Sequence, residues 1–233
     1  MKSRVRDDFS CDLLAIDDAP RKVVSDPTFH SPMTHDESLF QYLLRLGDSP
    51  LIFAQRLGEW IGHGPILEED IAQGNVGLDL LGQARLWLGY AGEVEARYAL
   101  AGRNEDQLAF LRDSADFCNL LLAEQPNGSF ADTIARQFLF DAWHVLLLSA
   151  LSRSSDARIT GMAAKAGKEG SYHVGRSADW VVTLRGGTGE SRARTRAPGA
   201  SALSACLIPA RHFSKWARLR PTISTTAKRR PAA

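Results

Sequence analysis

Cysteine is scarce in this chain of 233 residues, which contains three. Cys11, Cys118 and Cys206 are widely separated and show no CxxC spacing, so the sequence indicates neither a disulfide framework nor a zinc knuckle. An odd, small number of scattered cysteines is typical of proteins from reducing compartments. We therefore expect a cytoplasmic protein.

Long apolar runs are also missing. The first residues, MKSRVRDDFSCDLLAIDDAP, lack the apolar stretch of a signal peptide. No uninterrupted apolar run approaches the roughly 20 residues that a membrane-spanning helix needs. A phosphate-binding loop is not indicated either, since Gly186, Gly187 and Gly189 do not follow a predicted strand. The sequence predicts no membrane association and no nucleotide site.

The pattern that does recur is helical. Up to Leu184 no strand-like alternation of useful length occurs, and apolar residues repeat at steps of four and three, as on one face of a helix. We predict an all-α, antiparallel bundle. Its four inward-facing stripes are Leu39, Leu43, Leu46, Pro50, Phe53, Leu57 and Trp60; Leu67, Ile71, Gly74, Leu78, Leu81, Arg85 and Leu88; Phe130, Ile134, Gln137, Asp141, His144, Leu148 and Leu151; and Ile159, Ala163, Ala166, Gly170, His173, Ser177, Trp180 and Leu184.

Turn and capping signals divide these segments. The sequence Gly47 to Pro50 predicts an interruption of the first helix, with Ser49 as a cap. An additional helix is predicted from Asp106 to Glu124. Ser129, followed three residues later by Asp132, predicts a capping box at the start of the third striped helix. Because the other faces of that helix are also apolar, we expect it to be the most enclosed helix of the bundle.

Charge is distributed unevenly along the chain. The residues from Arg185 onward include 11 lysines and arginines and one acid, whereas residues 1–184 carry a formal net charge of −9. We predict a disordered extension at 1–32, a helical bundle at 33–184 and a disordered basic tail at 185–233. Basic tails can bind nucleic acid, but charge runs are usually only solvated, and no nucleic-acid partner is predicted. Met33 opens the patterned region and is a candidate for the true start.

Two pairs of ionisable residues are candidate metal ligands. Asp141 and His144 lie three residues apart on one helix face, and Glu169 and His173 lie four apart on another. A di-iron centre in a four-helix bundle needs a carboxylate from each of two helices and a Glu-x-x-His pair from each of the other two. No intact Glu-x-x-His occurs in residues 33–184.

Two interpretations of these pairs remain open. In one, the four residues belong to a metal-dependent oxygenase. In the other, Asp141 and His144 are buried groups that neighbours such as Arg85 or Arg136 satisfy, because buried charges are usually paired.

Three segments carry a family resemblance: RLGEWIGHGPILEEDIAQGNVGLDLLGQARLWLGYAGE, FCNLLLAEQPNGSFADTIARQFLFDAWHVLLL and AGKEGSYH. They resemble the C subunits of phenylacetyl-CoA epoxidase complexes, from about Phe40 to Leu184. The resemblance implies a ferritin-like subunit of the multicomponent mono-oxygenase that epoxidises the ring of phenylacetyl-CoA in phenylacetate catabolism. It further implies a structural, non-catalytic chain in a hetero-oligomer, with no cofactor of its own and with di-iron on a homologous catalytic subunit.

The resemblance also marks vestigial ligand positions. Where the catalytic relative has Glu-x-x-His on its second helix, this chain has Leu80 and Gln83, and where the relative has it on the fourth, this chain has Gly170 and His173. Asp141 matches the single carboxylate of the third helix. Two retained donors cannot hold two irons. The resemblance thus implies a bundle that has lost its metal, with no catalytic, cofactor-binding or metal-binding residue.

The sequence after Leu184 departs from the family. Members of the family continue with further helical segments, whereas this chain becomes basic and contains proline. We hypothesise a shifted reading frame near Leu184, which would leave the bundle truncated.

Overall fold

A computed structural model describes residues 33–187 and 189 of the chain, and these contain α-helices but no β-strand. The prediction of an all-α fold is confirmed. The helices are α1 (His35–Gly58), α2 (Leu67–Glu95), α3 (Glu105–Phe110), α4 (Phe130–Leu151) and α5 (Ala157–Gly186). Two short 3-10 turns, Ser114–Asp116 and Leu121–Glu124, lie between α3 and α4.

The four long helices form two antiparallel hairpins, α1 with α2 and α4 with α5. The hairpins meet where α2 contacts α5. Along that contact Gln83 bonds Glu169, whereas Glu69 bonds Trp180, so α2 and α5 also run antiparallel. This arrangement places the middle of α2, α4 and α5 around one interior region.

Three of the four predicted stripes are confirmed as inward faces. The stripe residues of α1, α4 and α5 are buried or half-buried throughout. The stripe predicted for α2 is wrong: Leu67, Ile71 and Leu78 are 70%, 55% and 66% exposed. The buried face of α2 instead follows Glu69, Gln73, Val76, Gly77, Leu80, Gln83, Ala84 and Trp87.

The reason for the error is that both faces of α2 show helical spacing. Apolarity favoured the outer face, because the inner one carries Gln73 and Gln83. In the fold these amides are each 1% exposed, and the neighbouring helices carry polar residues at the same level. Periodicity locates a helix but does not choose between two such faces.

Two apolar clusters enclose the polar interior. One contains Trp87, Leu43 and Leu148, and the other contains Phe53, Leu80 and Phe140. Phe53 of α1 stacks on Phe140 of α4 with ring centroids 4.0 Å apart. The residues that form the two clusters are almost fully buried.

Helix α1 is continuous, so the interruption predicted at Gly47 to Pro50 is wrong. The polar residues of that sequence bind a loop rather than make a turn. The Asp48 carboxylate, fully buried, pairs with Arg112 and accepts a hydrogen bond from the backbone N–H of Cys118 at 2.8 Å. Ser49 Oγ accepts one from the N–H of Leu120 at 3.1 Å.

The same contacts explain why the helix predicted from Asp106 to Glu124 does not form. Only Glu105–Phe110 is α-helical, and Asn104 and Gln107 cap its start. Beyond it, α1 side chains satisfy the backbone N–H groups of Cys118 and Leu120, which a helix would have bonded internally. Tertiary contacts therefore override the local helical pattern.

Helix α4 begins as predicted, with a capping box between Ser129 and Asp132. Its enclosure is only partial, because Leu146 is 72% exposed and Trp143 lies at the surface. Among the described helices, α4 is long and apolar enough to span a membrane, yet half of that apolar stretch is buried within the fold. The burial and the interior Asp141 and His144 identify α4 as a core helix.

The predicted segment boundaries are only partly open to comparison. Helix α5 ends at Gly186, two residues beyond the predicted end of the bundle at Leu184. The predicted disordered extension at 1–32 and the basic tail from residue 190 lie outside the described residues.

Candidate functional site

The interior of the bundle places Asp141 of α4 against α5. Its Oδ1 accepts a hydrogen bond from the Gln137 side-chain amide at 2.6 Å, and its Oδ2 accepts one from the Ser177 hydroxyl at 2.8 Å. Gln137 lies one turn earlier on α4, so the amide and the carboxylate share a face. The carboxylate is 2% exposed.

Burial changes the proton affinity of both ionisable residues on α4. It raises the pKa of Asp141 to about 6, although the Ser177 hydrogen bond and the charge of His173 oppose the rise. Burial, together with the smaller effect of the charge of His173, lowers the pKa of His144 to about 4. At neutral pH Asp141 is therefore largely ionised and His144 is neutral. The His144 ring packs on Phe140, with centroids 4.9 Å apart.

His173 of α5 meets Asp79 of α2. Its Nε2 lies 3.0 Å from Asp79 Oδ2, and its side chain is fully buried, whereas that of Asp79 is 41% exposed. His173 Nδ1 is buried and has no hydrogen-bond partner among the described residues. Asp79 is not among the residues predicted from the sequence, because it lies between the predicted outer stripe and the true inner face of α2. A shift of the stripe by one position would have identified it.

Gln83, one of the vestigial ligand positions, makes a hydrogen bond between two helices. Its Nε2 donates to Glu169 Oε2 at 2.8 Å and so links α2 to α5. Glu169 and His173 therefore do not share a partner: one binds an amide and the other a carboxylate. Glu169 and His173, the i,i+4 pair noted in the sequence, thus contact two different residues of α2, Gln83 and Asp79.

Leu80 and Gly170 are packing positions. Leu80 is fully buried in the apolar cluster with Phe53 and Phe140. At Gly170 a Cβ atom would lie 3.2 Å from Cγ2 of Val145, so the absent side chain lets α4 and α5 approach closely. Neither position has space for a glutamate without displacing its neighbours.

A second polar group lies nearer the start of α2. Glu69 pairs with Arg176 of α5 and accepts a hydrogen bond from Trp180 Nε1 at 2.6 Å. Burial lowers the pKa of Arg176 to about 10, so the guanidinium remains charged at neutral pH. Between this pair and Asp79, the Gln73 amide is buried, and neither its nitrogen nor its oxygen has a partner among the described residues.

The arginines suggested as partners of Asp141 lie elsewhere. Arg85 is exposed and pairs with Glu105, and Arg136 donates to the backbone oxygens of Gln125 and Pro126. That part of the buried-pair interpretation is wrong. Asp141 is satisfied by an amide and a hydroxyl, which are neutral donors and not metal ligands of the kind a di-iron centre needs.

Within residues 33–187 and 189, no three histidine, cysteine, aspartate or glutamate side chains come together in a group that could hold a metal ion. The four candidate residues divide into separate contacts. Asp141 binds Gln137 and Ser177, while His144 packs on aromatic rings. These polar side chains join neighbouring helices, α2 to α5 and α4 to α5.

Comparison with known proteins is consistent with this architecture. The family model described as phenylacetic acid catabolic protein matches residues 22–210. The chain belongs to this family. The ferritin-like bundle implied by the sequence resemblance is thereby confirmed.

One characterised relative shows which member of the family this chain is similar to. Over 151 residues, 64% of this chain, the sequence is 56% identical to the C subunit of the 1,2-phenylacetyl-CoA epoxidase of Escherichia coli strain K12. The chain covers 58% of the length of that relative. The resemblance stated from the sequence is confirmed. The residues that the family model matches include the whole described bundle.

Proposed function

We propose that this chain is a structural subunit of a multicomponent, ring-epoxidising mono-oxygenase that acts on phenylacetyl-CoA in phenylacetate catabolism. It would support a homologous di-iron catalytic subunit in a cytoplasmic hetero-oligomer. The family match and the 56% identity to the C subunit of an epoxidase support this role. The observation that carries it is the closed contact of Asp141 with Gln137 and Ser177, where a catalytic relative would need ligands.

We infer that the interior residues do not fit a di-iron centre on this chain. Each iron needs several anionic or imidazole donors. Leu80 and Gly170 supply none, Gln83 is bonded to Glu169, and Asp141 is held by two neutral donors. The polar interior instead links the two helical hairpins, as a structural subunit requires.

The test measures both the iron content of this chain and its co-purification with a catalytic subunit. The full chain is purified alone and after co-expression with a homologous chain that retains both Glu-x-x-His pairs, and iron per chain is measured by plasma mass spectrometry. We expect co-purification, iron in proportion to the partner and substoichiometric iron on this chain alone. Stoichiometric iron on the isolated chain would overturn the proposal.

The alternative is a metal-dependent oxygenase that uses Asp141, His144, Glu169 and His173. It predicts that Asp141→Ala abolishes metal binding while the helical circular dichroism remains. The structural role predicts the reverse: the same substitution lowers the free energy of unfolding, and metal content does not change. Gln125→Ala, in the loop before α4, serves as a matched purification control.

A further inference from the structure

The loop that leads into α4 contains an asparagine followed by a glycine. Of the four asparagines in the chain, Asn127 is the one that precedes a glycine. Such a pair is prone to deamidation, because glycine has no side chain to hinder attack of its backbone nitrogen on the asparagine side chain. Asparagine is one of the thermolabile residue types. The sequence Asn127-Gly128 is therefore a candidate site of spontaneous modification.

The reaction requires no reagent other than water. The backbone nitrogen of Gly128 forms a bond to Cγ of Asn127, and the bond from Cγ to Nδ2 breaks. Nδ2 leaves as ammonia, with the hydrogen of the Gly128 N–H as its third. Water then opens the cyclic succinimide at either of its two carbonyl carbons. The products are aspartate and isoaspartate at position 127, each of which adds a negative charge.

Three contacts hold the Asn127 side chain in the fold, and we call them the Asn127 clasp. Its Nδ2 donates to the backbone oxygen of Arg56 at 3.0 Å and to Glu59 Oε2 at 2.7 Å. Its Oδ1 accepts a hydrogen bond from the guanidinium of Arg136. Arg56 lies in the last turn of α1, Glu59 follows that helix directly, and Arg136 belongs to α4. The clasp thus joins the end of α1 to α4 through the loop.

The clasp opposes the reaction. An amide nitrogen has two hydrogens, and the clasp uses both of those on Nδ2. Attack makes the planar Cγ tetrahedral, and the departing Nδ2 leaves both of its acceptors. The Thr133 hydroxyl donates to the backbone oxygen of Asn127 at 2.9 Å and restrains the backbone as well. Because these hydrogen bonds must break, deamidation should be slower in the closed clasp than in an opened one.

The fold retains the reactive pair because Gly128 has no simple replacement. Gly128 has a φ of +60°, in the left-handed region that favours glycine. A Cβ atom there would lie 2.6 Å from Oδ2 of Asp132, which accepts the capping-box hydrogen bond from the N–H of Ser129. A larger residue would therefore disturb the start of α4. Protection of Asn127 depends on its contacts.

The products of deamidation cannot rebuild the clasp. An aspartate has no N–H, so both donations to α1 are lost. Its carboxylate would face the Glu59 carboxylate and the Arg56 carbonyl where Nδ2 now lies 2.7 Å and 3.0 Å from oxygen. Like charges at such a distance repel. Isoaspartate adds a methylene group to the backbone between Asn127 and Gly128 and so displaces the loop.

We propose that Asn127 is a site of spontaneous deamidation, that the Asn127 clasp suppresses the reaction in the folded chain, and that the product releases the loop from the end of α1. The change runs in one direction, because opening permits the reaction and the reaction prevents closing. It does not depend on the epoxidase assignment, since all the contacts lie within this chain.

The first experiment measures the rate of deamidation at Asn127 in the full chain by peptide mapping and mass spectrometry. The chain is kept in mildly alkaline buffer, either native or unfolded in urea. A synthetic peptide of residues 122–131 in the same two buffers corrects for the effect of urea on the chemistry. We expect deamidation to be about tenfold slower, or more, in the folded chain. Equal rates, or a faster rate in the folded chain because Arg136 activates the carbonyl, would overturn the proposal.

The second experiment opens the clasp without changing Asn127. Glu59→Ala removes one acceptor of Nδ2, and the Glu59 side chain is 43% exposed, so we expect the variant to fold. Circular dichroism checks this. Deamidation in the folded variant should be several-fold faster than in the wild type. Glu93→Ala, at an exposed glutamate of α2 that pairs with Arg158, is the matched control and should react at the wild-type rate. An unchanged or slower rate in Glu59→Ala would contradict suppression by the clasp.

The third experiment tests what the product does to the fold. Asn127→Asp reproduces one product, and we expect a lower urea midpoint and faster proteolysis in the loop before α4. Asn104→Asp is the matched control, because Oδ1 of Asn104 accepts a hydrogen bond from the backbone N–H of Gln107, which a carboxylate also accepts. A wild-type midpoint and wild-type proteolysis in Asn127→Asp would overturn the release of the loop.

Discussion

The hydroxyl of Ser177 on α5 lies 2.8 Å from Oδ2 of Asp141 on α4 and 2.9 Å from the backbone oxygen of His173. A hydroxyl has one hydrogen to donate. When Asp141 is ionised, Ser177 can donate to it. When Asp141 is protonated, it can donate to Ser177, which then donates to the carbonyl. The contact is thus satisfied in both protonation states.

The pH dependence of stability follows from Asp141 and His144. The pKa of Asp141 is raised to about 6, so its contribution to stability is present below its ordinary pKa and is lost as the pH rises towards 6. The pKa of His144 is lowered to about 4, so its contribution is present above its ordinary pKa and is lost as the pH falls towards 4. Between pH 4 and 6 the two slopes oppose each other.

Replacing either Asp141 or His144 should reveal the pH dependence of stability that the other residue contributes. In His144→Gln, the free energy of unfolding should fall by about 1.4 kcal/mol per pH unit as pH rises from 4 to 6, relative to the wild type. In Asp141→Asn it should fall by a similar amount as the pH decreases over the same range. Urea denaturation at several pH values measures both slopes. Parallel profiles in the wild type and both variants would contradict the assignment.

Restoring a glutamate at Gly170 should destabilise the bundle. Gly170→Glu inserts a charged side chain where Val145 would lie 3.2 Å from the new Cβ atom. We expect a loss of about 3 kcal/mol from overpacking and charge burial. Gly167→Glu, on the same helix with open space around its Cβ, should change stability by less than about 1 kcal/mol. Thermal unfolding followed by circular dichroism compares the two, and equal losses would refute close packing at Gly170.

The buried pair between Asp48 and Arg112 should hold the loop onto α1. Their side chains are 0% and 3% exposed, so Asp48→Asn leaves an uncompensated buried guanidinium. We expect a loss of about 3 to 5 kcal/mol in the free energy of unfolding. The exposed pair of Glu93 and Arg158 is the comparison, and Glu93→Gln should cost less than about 1 kcal/mol. Similar costs for both pairs would show that Asp48 does not anchor the loop.

The buried amide of Gln73 offers a stabilising substitution. Neither its nitrogen nor its oxygen has a partner among the described residues, so Gln73→Leu removes two unsatisfied polar atoms at nearly constant volume. We expect a gain of about 1 kcal/mol in urea denaturation. Gln137→Leu should do the opposite, because the Gln137 amide donates to Asp141. A loss of stability in both variants would indicate that Gln73 is satisfied in solution.

Much of the fold could be predicted from spacing alone. The stripes of α1, α4 and α5 and the Ser129 capping box came from regular intervals of apolar and capping residues. These features are local, because a helix repeats within a few residues and its cap involves neighbours three apart. The family resemblance, confirmed by the comparisons, likewise rests on contiguous segments.

The sequence predicted which residues lie in the candidate site better than it predicted which residues they contact. Asp141, His144, Gln83 and His173 are all buried, as residues of the interior should be. Their partners Ser177, Glu169 and Asp79 lie 36, 86 and 94 residues away along the chain. Spacing within one helix carries no information about such pairs. Arg85 and Arg136 were chosen as partners by charge, and both bind elsewhere.

The sequence by itself determined that this chain forms amphipathic helices, that one of them begins at a Ser129 capping box, and to which family the chain belongs. Only the tertiary structure decided which face of α2 is buried, that α1 continues through Pro50, and that Asp141 is bound by Ser177. The physical reason is the range of the interactions. Helical periodicity and capping act between neighbours, whereas burial and the satisfaction of polar groups depend on the element packed opposite.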